Sequence, residues 1–184
     1  MAISQYRQYA QGYPTSIVEL RSWHPECISK DYDYIMSLEL SQEDIQLCQS
    51  RQYGYQSWDD LIQNDSVLDP NFERAVDAIV EGNDTLLLQL LNEHPVLCQQ
   101  HSAFGHRASL IHYIAANGVE THRQMTPYNL MTITQILLDH NCDINADHNI
   151  YNGNGTLIDL IASSAHPNEA GVASSIIELV NSVL

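Results

Sequence analysis

The sequence predicts an all-α protein, with an N-terminal helical segment over residues 1–68 and about three consecutive helix pairs over 69–184. Three observations predict it. Helix start and stop residues recur along the chain. Strand signals are weak, because few alternating β-branched runs exist. Gly82 and Gly118 close similar segments 36 residues apart, which is a spacing of helix-pair repeats.

The elements follow in order. Seven of the ten tyrosines fall in residues 6–55, among many glutamines. Ile17, Val18, Leu20, Trp23, Ile35 and Trp58 supply apolar area there for several short packed helices. Ser41 is an N-cap with Asp44 three residues on; Ile45, Leu47 and Cys48 then lie roughly on one face, and Gly54 stops the helix. Ser57 and Asp60 repeat the capping pattern before Leu61 and Ile62. A boundary is expected near Asn64–Asp69. Asp69 and Pro70 read as N-cap and first helical residue, and Gly82 ends that helix. Asn83 and Asp84 make a turn, and the run TLLLQLLNEH forms a second helix that stops before Pro95.

The next segment is more specific. Ser109 to Gly118 reads SLIHYIAANG and resembles the ankyrin signature T-P-L-H-L-A-A-x-x-G, with His112 at the signature histidine, Ala115 at the small packing position and Gly118 at its end. Leu137 to Ala146 resembles the ankyrin end L-L-x-x-G-A-D-V-N-A, with Leu137 and Leu138 in place and Asn141 for the glycine, a residue that tolerates positive φ. Thr156 to Ala162 resembles the next start, with Asp159 at the histidine position. Two signature prolines are replaced by Leu110 and Leu157. The chain is thus similar to a short ankyrin-type solenoid, with repeats over about 69–105, 106–150 and 151–184. Residues 1–68 resemble the helical segment ahead of the repeats in some bacterial ankyrin proteins, through Trp23-His24-Pro25 and the run from Leu40 to Leu61. The resemblance implies a bacterial origin, an N-terminal helical cap over the first repeat, and protein binding without catalysis. It also implies that Ala78, Ala115 and Ala162 let the first helices pack closely. Leu90/Leu91, Leu137/Leu138 and Ile177/Leu179 would fill the second-helix layer.

Composition narrows the function. The 184 residues carry a formal net charge of −16, with 23 acidic and 7 basic residues. Residues 124–184 hold six acids and no base, so the negative charge is spread along the chain. This argues against binding nucleic acid, which needs clustered Lys and Arg, and against docking on anionic lipid. The single lysine, Lys30, has no glycine near it, which excludes a Walker-type phosphate loop. No apolar run is long enough to cross a membrane, and the start MAISQYRQYAQGYP lacks a signal-peptide pattern, so a cytoplasmic protein is expected. Cys27, Cys48, Cys98 and Cys142 fit no zinc template and read as buried thiols.

No catalytic residue, cofactor or metal is expected. The nine histidines include no helical i, i+4 pair, and no G-x-S-x-G motif occurs; Gly153 to Thr156 reads as a turn ahead of a helix. The partner-binding candidates are the inserted loops 119–129 and 164–172. They carry Glu120, His122, Arg123 and Tyr128, and His166 and Asn168. Side by side, they would form one polar and aromatic ledge, with Arg123 its only cation and Asn129 capping the following helix. The partner is expected to be another protein, neutral or basic. The alternatives are an acidic inhibitor or DNA mimic acting on a basic nucleic-acid enzyme, and a host-directed bacterial effector. Val180, Val183 and Leu184 either fold back on the last repeat or form a patch through which two copies pair by the C-terminal helix.

Overall fold

The computed structural model describes residues 14–64 and 68–183. Helices supply its regular structure; among the described residues there is no strand, only an isolated bridge between His101 and Ser109. The chain divides into two compact units, Met1–Asp65 and Ser66–Leu184.

The first unit contains α1 (Pro14–Trp23), α2 (Tyr32–Met36), α3 (Gln42–Gln52) and α4 (Trp58–Ile62). Ser41 and Asp44 close a reciprocal capping box at the start of α3. Ser57 accepts the Asp60 amide at the start of α4. Ile17, Leu20, Cys27, Ile35, Leu40, Ile45 and Cys48 form one core between α1, α2 and α3. Val18 is half exposed and contributes little, because Ile17 and Leu20, three apart, already occupy the inward face of α1.

The second unit contains α5 (Pro70–Glu81), α6 (Asp84–Glu93), α7 (Leu130–Asp139), α8 (Leu157–Ser163), α9 (Ala165–Glu169) and α10 (Ala173–Asn181). Asp69 caps α5, Gly82 ends it in the left-handed region, and the Asn83 side chain caps α6. Helix α5 packs on α6 and on the turn over 110–115; that turn packs on α7 and α8, and α10 covers α7 and α8. The helix pairs therefore stack in chain order around one core that runs from Phe72 to Val180.

Three details differ from the sequence reading. The first element of the middle pair is a 3₁₀ turn, Leu110–Ala115, all six residues buried. Ala116 at φ 48° stops it after too few residues for an α-helical ladder, so the bonds close three residues apart. In the last pair the helix phase turns Ile176 and Val180 into the core, leaving Ile177 and Leu179 only partly covered. Ala162 is exposed, since α8 buries Leu157, Leu160 and Ile161 instead.

The same phase decides the two middle leucines. Leu137 is fully buried, whereas Leu138 packs at the edge of the core. Leu137→Ala is expected to cost about 3 kcal/mol in urea unfolding. Leu138→Ala is expected to cost clearly less, and equal losses would contradict this placement. Val180 is 1% exposed and Val183 53%. Of the two readings of the chain end, Val180 follows the first and folds into the core, Val183 stays exposed, and Leu184 lies outside the described residues.

Candidate functional site

Loop 119–129 turns inward. Its short 3₁₀ segment, Thr121–Arg123, aims the Arg123 guanidinium at α5. Nη1 donates to Glu73 Oε2 at 2.6 Å and to Glu120 Oε1 at 3.1 Å; Nε and Nη2 donate to Asp77 Oδ1 at 3.0 and 2.8 Å. Glu73 and Asp77, four apart, share the face of α5 that receives it. Glu120 is wholly buried, and its second oxygen lies 3.5 Å from His106 Nε2. The Ala108 amide donates to His106 Nδ1, which leaves the His106 proton on Nε2, facing that oxygen. Burial opposes ionisation of Glu120, but His106 facing its second oxygen, with Arg123 nearby, holds its carboxyl below the usual range. Burial likewise opposes the Arg123 charge, and Glu73, Glu120 and Asp77 more than offset it.

Arg123 and Glu120 are therefore not the exposed binding groups the sequence suggested. Three carboxylates surround the one arginine of the loop and hold it at 7% exposure. Asn129 is corrected as well. It stands at the N-cap of α7 without capping it, and its amide reaches back to Gly82 O at 2.9 Å and to Asp84 at 3.4 Å. A Cβ on Gly82, at φ 73°, would strike Asn129 Oδ1 and come within 2.8 Å of Pro127 Cβ. That glycine thus serves both the turn and the close passage of the loop.

The second loop is also partly consumed. The Asn168 amide donates to Ser164 O at 2.6 Å and Ala162 O at 3.1 Å, so it satisfies carbonyls at the end of α8 and is not free for a partner. Ser164 Oγ donates to Ala116 O, and Asn117 donates to Leu160 O and Ser163 Oγ. Each inserted loop leans on the pair before it: loop 119–129 on α5, loop 164–172 on residues 116–117. Of the candidates, His122, Tyr128, His166 and Asn168 are exposed, Tyr128 at 96%, but the Asn168 amide is already committed to the backbone. Met125 and Met131 lie near it in the chain and are also exposed.

The residues that carry the resemblance make contacts within the fold. Ser109 N donates to His112 Nδ1 at 3.0 Å, and Ser109 Oγ is 2.8 Å from the same nitrogen. Burial, with the charges of His148, His101 and His106 beside it, pushes His112 down to about 3. Ala115 and Leu137 are fully buried, and Asn141 takes φ 58° after α7. Thr156 and Asp159 form a capping box on α8. Gly118, at φ 70°, lies against Ile150 and the Tyr151 ring, and a Cβ there would meet both.

The sequence reading missed a Cys-His-Asp arrangement in the first unit. Cys27 Sγ is 3.4 Å from His24 Nδ1, and His24 Nε2 is 3.4 Å from Asp44 Oδ1. The chain separation of Asp44 left no local signal for it. Cys27 is fully buried, and that burial raises its thiol, which is the opposite of an activated nucleophile. The arrangement ties the turn over 24–27 to the first turn of α3. A cleft of about 400 Å³ opens in the second unit between the loops that follow α6 and α7. Cys98, Gln99, His101, Ser109, Asp143, Asn145, Ala146 and Asp147 line it. Among the described residues no group of three or more His, Cys, Asp or Glu is placed to hold a metal ion, and no helix is long and apolar enough to cross a membrane.

Fold and site together define a mostly helical protein with stacked helix pairs and one strongly exposed aromatic loop. No family model, curated protein or solved structure matches the chain.

Proposed function

We propose that this is a non-catalytic scaffold of ankyrin type that binds another protein through side chains on its inserted loops. The stacking of helix pairs in chain order is the observation that carries the reading. The capping boxes at Ser109/His112 and Thr156/Asp159 and the left-handed Asn141 support the reading, because the ankyrin resemblance runs through these residues. Such a scaffold holds its loops rigidly, and recognition falls to what those loops expose. Tyr128 is the foremost contact group, because a large amphipathic ring in water gains most from being covered. His122 and Met125 flank it in the loop, and the exposed His166 belongs to the next loop. The base-free stretch 124–184 favours a neutral or basic partner.

Affinity capture from the source organism tests this. The protein should retain one specific partner, and Tyr128→Ala should lower retention at least about tenfold with Tm unchanged, as for a surface hot spot. Equal retention by the variant, or nothing held above a bait-free control, would overturn the reading. Retention that collapses steeply with salt would favour an acidic inhibitor instead.

A further inference from the structure

Two thiols from successive loops meet in the second unit. Cys98 lies on the 3₁₀ turn Pro95–Gln99, after the first helix pair. Cys142 follows the left-handed Asn141 after the second pair, and its amide bonds to Leu137 O at 3.0 Å. Gln99 Nε2 donates to Asn141 O at 3.2 Å, which pins the neighbouring residues of the two loops together. Both thiols are free, both belong to the one core cluster of the unit, and both are nearly buried, at 3% and 5% exposure. Cys98 nevertheless forms part of the wall of the 400 Å³ cleft, beside His101, Asp143 and Asp147. The Cys27–Cys48 neighbourhood in the first unit is equally buried.

We propose that Cys98 and Cys142 are a peroxide-sensitive pair that closes a reversible disulfide between the two loops. Hydrogen peroxide enters the cleft, and the Cys98 thiolate attacks its O–O bond. One oxygen stays on Cys98 as a sulfenic acid, and the other leaves as water with the proton released by the thiol. The Cys142 sulfur then attacks the Cys98 sulfur, the S–O bond breaks, and a second water leaves with the Cys142 proton. Two thiols and one peroxide thus give one disulfide and two waters. Cys98 is the attacking group because it lines the cleft. Asp143 and Asp147 at the opening favour a small neutral oxidant over an anionic disulfide. The product staples loops that stand 44 positions apart in the chain.

The experiment uses the full chain, reduced, then treated with hydrogen peroxide, alkylated and digested with chymotrypsin without reductant, because residues 124–184 contain no tryptic site. Mass spectrometry should find a Cys98–Cys142 linked peptide that dithiothreitol removes. Tm should rise by about 5 °C or more. Cys142→Ser should abolish both the link and the rise, while Cys48→Ser keeps the link. The wild-type peptide map decides alone if a variant fails to fold. A link between Cys27 and Cys48 only, over-oxidation of Cys98 with Cys142 still a free thiol, or no loss of thiols would each overturn the proposal.

Discussion

Arg123→Met is expected to destabilise the protein by about 3–5 kcal/mol in urea or thermal unfolding, the usual result of removing one partner from a buried ion pair. The substitution leaves Glu120, with no exposure at all, without its cation, and removes the 2.6 Å bond to Glu73. Asp77 contributes less, because its side chain is half exposed and solvent screens it. Arg123→Lys is expected to lose most of this too, since an ammonium group cannot serve three carboxylates with the guanidinium's fixed fork. Adding Glu120→Gln to Arg123→Met should recover part of the loss by removing the uncompensated charge, a coupling that a double-mutant cycle reads directly. A loss under about 1 kcal/mol for Arg123→Met would contradict the buried placement. It would return Arg123 to the surface role the sequence suggested.

Acid is expected to unfold the second unit, and His112 supplies a defined share. Its folded value is about 3, against about 6.5 for an unperturbed histidine. The unfolded chain therefore binds the proton first. The stability linked to a neutral His112 is complete above pH 6.5 and falls by about 1.4 kcal/mol per pH unit below it, until the folded value is reached. Between pH 7 and pH 5 this amounts to about 2 kcal/mol. Glu120 acts in the same direction: its folded value is lowered, so its contribution is present above the unfolded carboxylate range and is lost as pH falls through the folded value. His112→Gln keeps a side chain that can reach back to the Ser109 amide in a capping box, without a proton to gain. The variant should lose about 2 kcal/mol less than the wild type from pH 7 to pH 5, measured by urea unfolding at both. Parallel losses would show that His112 is not the group that titrates. The rings and carboxyl near it, His148 at 4.6 Å edge-on, His101, His106 and, beyond His106, Glu120, are unchanged in that comparison.

Features that rest on bonds three or four residues long were legible. Ser41 with Asp44, Asp69 with Pro70, Gly82 and Asn141 stand as their chemistry requires, because a capping bond involves only its own turn. The candidate loop was legible as an insertion, but the roles of its residues were not. Arg123 finds its acids 46 and 50 positions away on α5. No local pattern marks such a pairing. The sequence offered Arg123 as a free cation because no acid beyond Glu120 lies near it in the chain.

The sequence by itself determined a mostly helical chain, many of the places where its helices begin and end, and a negative charge carried by every part of it. These follow from composition and from contacts within one turn. Only the tertiary structure decided which side of each helix is covered. It chose Ile176 and Val180 over Ile177 and Leu179, and it drew Arg123 inward while leaving Tyr128 in water. The physical reason is that burial depends on helix phase and on neighbours from distant segments. A rotation of one residue along a helix moves a side chain by about 100°, which separates a core position from a surface one.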